Sequence, residues 1–188
     1  MHSFVNKITN AASGRHVLIF LILSFAVYFV MLFHTIPSVQ AYAPDIKIFD
    51  LSPSGYSYNY AIKLLSALGD EGRKQYLNTQ LTLDFIYPAL FSISSSLLLA
   101  WVFLKRYVKG SRIFYSCLVP IFAGIFDYLE NIQIVVMVVN FPDISNTQVV
   151  LSSVFTIAKS ALTTIFFLVL LFAFIKLWMG SKCAKKPV

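Results

Sequence analysis

Four long apolar stretches alternate with more polar connections along the chain. The apolar stretches cover about residues 17–34, 84–104, 113–139 and 149–175. Each is long enough for a helix that crosses the hydrocarbon core of a bilayer, which takes roughly 20 apolar residues. The pattern predicts an all-α membrane protein in which residues 1–188 form a single transmembrane domain, an antiparallel bundle of four membrane-spanning helices.

Composition supports this class of protein and excludes others. Hydrophobic residues make up 58% of the chain and charged residues only 12%, whereas about a quarter of the residues in a soluble domain are charged. The two cysteines, Cys117 and Cys183, are too few for a disulfide framework or a thiolate metal site. The net charge is +7, but the basic residues flank the apolar stretches instead of forming one stripe. The lipid bilayer is therefore the expected partner, and nucleic acid is not.

The basic residues are distributed unevenly among the connections. Ten of them lie before the first apolar stretch, between the second and third, and after the fourth: Lys7 and Arg15; Lys105, Arg106, Lys109 and Arg112; Lys176, Lys182, Lys185 and Lys186. The connection 140–147 has none. By the positive-inside rule, both termini and the 105–112 loop are cytoplasmic. We therefore predict a multi-pass protein of the cell's inner (plasma) membrane. In the alternative, the first stretch is a signal peptide cleaved after Ala41, but its apolar part is longer than usual.

Residues 35–83 form the one sizeable segment outside the predicted spans, and the charge pattern places it on the outer side. Pro53 and Gly55 suit a turn. Ser57 can cap a helix that ends at Gly69, and Asp70 can begin a second helix that runs into the second span. We expect this loop to form an extracytoplasmic helical cap on the bundle.

Polar residues interrupt the third and fourth apolar stretches at matching depths. Asp127, Glu130 and Asn131 share one helix face because they are three and four residues apart. The fourth stretch carries a polar stripe of Ser152, Thr156, Lys159 and Thr163. Measured from the outer helix ends at a rise of ~1.5 Å per residue, Asp127 lies ~20 Å deep, Glu130 ~15 Å and Lys159 ~18 Å. The lysine is therefore level with both carboxylates.

These charges are expected to face the interior of the bundle and pair there. Each costs roughly 2.5–3.5 kcal/mol near the centre of a membrane helix. In the second stretch, Asp84 and Tyr87 lie near the same level, and Pro88 frees the backbone carbonyl of residue 84. His34, Arg73 and Tyr76 are further candidates to reach this cluster from the outer side.

The acids outnumber the lysine. Asp84, Asp127 and Glu130 face Lys159 alone unless Arg73 or Lys74 also reaches the cluster. A buried carboxyl without a partner stays protonated, or binds a cation or a ligand rich in hydrogen-bond donors. We predict neither a metal nor a cofactor, because there is no metal-binding spacing such as HExxH and a nearby lysine opposes the binding of a metal ion.

Two segments carry a family resemblance. The runs LSALGDEGRKQYLNTQLTLDFIYPALFS and AGIFDYLENI contain the spacings LGxEGRxxY and DxxEN. Through these spacings, most of the region 45–135 resembles a group of uncharacterised bacterial four-span integral membrane proteins. The resemblance implies a shared fold and no particular activity. The matching positions are Gly69, Gly72, Arg73, Tyr76, Asp84, Pro88, Asp127, Glu130 and Asn131.

Three functions fit these observations. The first is a non-enzymatic bundle whose outer-half polar cavity binds or passes a small polar or cationic ligand, a small molecule or a lipid. The second is an intramembrane enzyme that uses Asp127 or Glu130 as an acid or base on a lipid-soluble substrate. The third is a scaffold whose charges only hold helices together. The first is preferred because catalysis usually needs a nucleophile or a metal beside the acid–base pair.

Overall fold

A computed structural model describes residues 2–183 of the chain. All regular structure in this range is helical, with no strand. Four of its helical runs are long and apolar enough to cross a membrane, which confirms the all-helical, four-span class of fold: Gly14–Gln40, Tyr58–Leu104, Arg112–Asn140 and Asn146–Met179. Lys185, Lys186 and the side chain of Lys182, on which part of the predicted charge pattern rests, lie outside the described residues.

The helical runs are built from eight α-helices joined by shorter turns of other geometry. The α-helices are α1 (His2–Ala11), α2 (Gly14–Val30), α3 (Ile36–Gln40), α4 (Tyr58–Gln75), α5 (Leu81–Asp84), α6 (Tyr87–Leu104), α7 (Val119–Asn140) and α8 (Asn146–Cys183). Two π-helical turns, Met31–Thr35 and Tyr76–Gln80, and two 3₁₀ segments, Phe49–Leu51 and Arg112–Leu118, complete the set.

The first span begins at a defined cap and ends in a widened turn. Ser13 accepts a hydrogen bond from the backbone N–H of His16 at 3.2 Å, which satisfies one of the free donors at the start of α2. Near the other end, Pro37 has no N–H to give to the helix, and the π-helical turn Met31–Thr35 precedes it. The short helix α1 before this span was not predicted.

The segment between the first and second spans follows the predicted turn and cap signals. The backbone N–H of Gly55 bonds to Ser52 at 2.9 Å, and Ser57 caps α4 by accepting from the N–H of Tyr60 at 3.3 Å. Gly69 interrupts α4 with φ 62° and ψ −177°, a conformation that glycine adopts without steric cost. Beyond it the helix continues through Tyr76–Gln80 and α5 to α6, so no separate loop precedes the second span.

Two apolar cores stabilise the fold, one toward each end. In the first, side chains of residues 39–81, among them Phe49 and Leu64, pack against Ile134 and Met137 of α7 and Val149 of α8. The second joins α1, the end of α6, the 3₁₀ segment Arg112–Leu118 and the middle of α8. The candidate site lies between these two cores.

Helix α6 lies between α2 and α7, and α8 packs mainly on α7. The α6–α7 contact is close because Gly124 has no side chain. A Cβ there would clash with Ser92 Oγ and lie 2.9 Å from the backbone oxygen of Pro88. By contrast, α2 and α8 make few contacts with each other. A cavity lined by residues of both helices lies between them.

Candidate functional site

The centre of the site is an ion-paired cluster between α7 and α8. Lys159 Nζ donates a hydrogen bond to Asp127 Oδ1 at 3.0 Å and lies 2.5 Å from Glu130 Oε2. Thr156 Oγ1 donates to Glu130 Oε1 at 2.7 Å. Both carboxylates are buried, so the lysine is level with the two acids and in contact with both, as the depth argument required.

A second contact connects α7 to the start of the second span. Asn131 Nδ2 donates a hydrogen bond to the backbone oxygen of Asp84 at 2.7 Å. That oxygen is free because Pro88, four residues on, has no N–H to offer it. On the other side of the amide, Asn131 Oδ1 is buried with no donor among the described residues. The contact fixes Asp84 beside the ion-paired cluster.

Asp84 itself is acidic, buried and unpartnered. Only 6% of the residue is exposed, and within residues 2–183 no side chain forms a hydrogen bond or an ion pair with its carboxyl group. The carboxyl group instead lines a cavity. Burying an isolated charge costs several kcal/mol. A charged Asp84 carboxylate therefore destabilises the protein unless a proton or a ligand neutralises it.

Asp50 is a fourth acid at the site, and sequence reasoning missed it. It lies in the 3₁₀ segment Phe49–Leu51 and accepts hydrogen bonds from Tyr76 Oη and from Gln80 Nε2, the latter at 2.7 Å. Gln80 Oε1 in turn accepts from Thr35 Oγ1. The network therefore joins the two π-helical turns to the segment that carries Asp50.

A cavity of about 360 Å³ collects these groups. Its charged lining consists of Asp50, Asp84, Asp127 and Lys159, and its aromatic lining of Tyr28, Tyr87 and Phe91. The Tyr28 and Tyr87 rings lie 5.7 Å apart, and the Tyr87 and Phe91 rings 5.9 Å apart. Hydroxyls of Ser160, Thr163 and Thr164 extend the lining along α8 toward the space between α2 and α8. The cavity therefore has an acidic end and an apolar wall.

Of the other predicted contributors, only Tyr76 reaches an acid of the site, Asp50. His34 is exposed on the π-helical turn. Arg73 pairs with Asp70, donates to the backbone oxygen of Leu65 at 2.7 Å and lies 4.6 Å from the centre of the Phe141 ring. Lys74 pairs with Glu71 at 2.8 Å. Tyr76 approaches the site only through Asp50. Lys159 is therefore the single cation among the described residues that contacts the cluster.

The segment between the first and second spans is attached to α8 beside this site. Tyr56 Oη lies 2.6 Å from Ser152 Oγ, and the backbone N–H of Tyr56 donates to Ser153 Oγ at 2.9 Å. Burial raises the pKa of the Tyr56 phenol above its ordinary value, so the group stays neutral and the hydrogen bond persists at physiological pH. The polar stripe of α8 thus serves both the cluster and the attachment of this segment.

The helices and the site together define the class of protein: a multi-pass membrane protein with a polar cluster inside its helical bundle. Within residues 2–183, no group of three or more His, Cys, Asp and Glu side chains is arranged to hold a metal ion. Comparison with protein-family models, curated proteins and solved structures finds no match to this chain.

Proposed function

We propose that this chain is an inner-membrane protein, with both termini in the cytoplasm, whose acid-lined cavity binds a small organic cation. In this proposal residues 35–83 form an extracytoplasmic cap over an antiparallel four-helix bundle. The cavity then lies in the outer half of the membrane and either holds the cation or passes it across.

Two observations support the arrangement of the helices. The cluster pairs residue 127 with 159 and residue 130 with 156. A step of three residues forward on α7 thus matches three backward on α8, as antiparallel helices require. The basic residues at the chain ends and in the 105–112 loop support a cytoplasmic location for these parts.

The observation that carries the proposal is the unpartnered carboxyl of Asp84 beside the cavity. Asp127 and Glu130 share Lys159, and Asp50 accepts from Tyr76 and Gln80. The scaffold alternative accounts for these three acids. It leaves Asp84 without a function, because that carboxyl holds no helix in place through its side chain. A cationic ligand would compensate it.

The lining of the cavity indicates the class of cation. An ammonium group in the cavity would share it with the rings of Tyr28 and Tyr87, and aromatic faces attract cations. The remaining wall is apolar, which suits a carbon skeleton more than a hydrated metal ion. The volume of about 360 Å³ is at the lower end of small-molecule sites, which run from roughly 300 to 1,000 Å³. A small amine with an aromatic or aliphatic body fits these properties.

The extension between α2 and α8 favours one alternative, an intramembrane enzyme. Ser160, Thr163 and the exposed Thr164 lie along that side of the cavity, so a lipid-soluble substrate would have a lateral way in. Asp127 and Glu130 would then act as acid and base, but both already contact Lys159. The binding function is preferred because it uses the acid that has no partner.

The test compares a cation with its neutral isostere. Binding of 2-phenylethylamine and of 2-phenylethanol to the purified full chain in neutral detergent is followed by the shift in unfolding temperature. We expect the amine alone to stabilise the protein, by about 2.7 kcal/mol at a concentration of 100 Kd. Asp84→Asn should weaken binding of the amine about thirtyfold or more, since truncating one member of a buried charge pair typically costs about 2–5 kcal/mol.

Asp143→Asn is the matched control, because Asp143 is exposed in the 140–147 connection and does not line the cavity. Without ligand, Asp84→Asn should melt at or above the wild-type temperature, since it removes an uncompensated buried acid. Equal stabilisation by the alcohol, or a ligand-free Asp84→Asn protein that melts well below wild type, would show that Asp84 is structural and not a cation site.

A further inference from the structure

A second and larger cavity lies on the other side of α6, toward α1. It is a groove of about 610 Å³ whose lining is almost entirely apolar. Its floor is made of small residues of α6 and α7: Ala89, Ser92, Ser96 and Gly124. Ile93 and Ile125 border it and are 42% and 47% exposed, so the groove opens on the face that a membrane-spanning bundle turns to lipid.

The amphipathic helix α1 closes one end of this groove and brings charge to it. Lys7 on α1 and His16 at the start of α2 are the basic residues of the lining, and it contains no acid. His16 Nδ1 lies 2.8 Å from the backbone oxygen of Ala11. Phe4 and Ile8 of α1 also border the groove. One elongated site thus combines an apolar channel with a cationic end.

The charge at this end of the molecule is uncompensated. There is no Asp or Glu in residues 1–44, 85–126 or 144–188. The basic residues near this end with described side chains form no salt bridge within the described part of the chain: Lys7, Arg15, Lys105, Arg106, Lys109, Arg112 and Lys176. Lys105 instead lies 4.1 Å from the centre of the Trp101 ring. No acidic side chain therefore competes with an anionic ligand for these basic residues within the described part of the chain.

We propose that the groove binds one anionic phospholipid, with an acyl chain along α6 and the phosphate at Lys7 and His16. Clusters of Lys and Arg on an amphipathic helix or beside a membrane span attract anionic headgroups, by about 1 kcal/mol for each basic residue. A zwitterionic lipid would be weaker here, because its ammonium group finds no carboxylate at this end. The site is separate from the acid-lined cavity and does not depend on the function proposed for it.

The test uses two lipids with the same acyl chains. Native mass spectrometry of the full chain in neutral detergent, titrated with dioleoyl phosphatidylglycerol or dioleoyl phosphatidylcholine, measures how many lipid molecules bind and how tightly. We expect one tight phosphatidylglycerol and markedly weaker phosphatidylcholine. Lys7→Gln should weaken phosphatidylglycerol about fivefold, the equivalent of about 1 kcal/mol. Lys109→Gln, the same charge change at the same end but outside the groove, should change it little.

A second pair of variants tests the apolar channel. Ala89→Phe and Ala11→Phe place a ring in the groove, one from α6 and one from the exposed side of α1. Either should abolish the tight binding. Ala161→Phe, on an exposed face of α8 outside the groove, should not, and unfolding temperatures without lipid establish that each variant is folded. Glycerol phosphate, the headgroup without chains, should not bind.

Several results would overturn the proposal. Equal loss from Lys7→Gln and Lys109→Gln would mean diffuse attraction to a basic surface. Equal binding of the two lipids, or tight binding in both groove-filling variants, would mean that no anionic-lipid site exists there. Binding of glycerol phosphate as tight as that of the lipid would assign the site to a free anion. Amine binding at the other cavity should be the same in all these variants.

Discussion

Lys159 makes the most consequential side-chain contacts at the scale of single residues. It is the one cation in contact with Asp127 and Glu130, at 3.0 and 2.5 Å. Breaking a buried ion pair by removing one partner typically costs 3–5 kcal/mol, because the other charge is left uncompensated. Replacing Lys159 leaves both acids uncompensated. The two acids therefore have to be neutralised one after the other to separate their contributions.

We therefore expect Lys159→Met to lower the free energy of unfolding by about 3–5 kcal/mol. Adding Glu130→Gln should recover only part of the loss, since Asp127 remains charged or must take up a proton. Adding Asp127→Asn as well should recover most of it. Chemical or thermal unfolding in detergent measures each step. Lys63→Met, at an exposed position of α4, is the control. Wild-type stability of Lys159→Met would contradict the ion-pair interpretation.

The residues of this cluster were predictable for a simple physical reason. Helix period and rise determine which side chains share a face and a depth, and membrane helices are regular enough for this to hold across two of them. Asp50 was not predictable in this way. It lies in a 3₁₀ turn, and its partners Tyr76 and Gln80 are 26 and 30 residues further on. Only the tertiary fold brings them together.

At the scale of elements, the predictable features were those with a local chemical cause. Ser57 caps α4 through its hydroxyl, and Gly69 interrupts it at a positive φ that a residue without a Cβ adopts easily. The π-helical turns depend on how the helices pack, so local propensity gives no signal for them. Helix α1 is ten residues long, below the length at which a helix is stable in isolation, and its packing against α6 stabilises it.

The contact between α6 and α7 yields a prediction of its own. Gly124→Ala should destabilise the protein by about 1–3 kcal/mol, the usual range for overpacking, because the new Cβ meets Ser92 Oγ and the backbone oxygen of Pro88. Combining it with Ser92→Ala should recover part of the loss, since the Pro88 oxygen cannot move away as a side chain can. Unfolding midpoints in detergent measure both effects.

Gly14→Ala provides the matched control for this substitution. A Cβ at Gly14 would lie 3.5 Å from Trp101 Nε1, an ordinary contact, and the position is helical. Alanine there should be neutral or stabilising by up to about 1 kcal/mol, because glycine is the poorer helix former. If both alanine variants have the same stability, α6 and α7 are further apart than in the structure, and their contact does not depend on the small residues.

At the scale of the whole molecule, the acidic residues are confined to one part of the chain. All eight lie within 45–143, together with some of the basic residues, and the charged residues before and after that range are all basic. This distribution of charge can be read directly from the sequence. The sequence does not show the shape of the cavities, because the two cavities on opposite sides of α6 arise from how four helices pack.

The distribution of charged residues leads to a test of orientation in the membrane. Positive charge is retained on the cytoplasmic side, so the 105–112 loop should be inside, with residues 35–83 and the 140–147 connection outside.

One exposed residue from each of these three parts is used in the experiment: Lys63, Lys109 and Asp143. Each is replaced by cysteine in a background with Cys117→Ala and Cys183→Ser, and intact cells are treated with a membrane-impermeant maleimide. Positions 63 and 143 should label at once, and position 109 only after the membrane is permeabilised. Labelling of position 109 in intact cells would show that the orientation is the opposite one. The acid-lined cavity would then lie in the cytoplasmic half of the membrane. Its geometry would be unchanged, but its cation would then come from inside the cell.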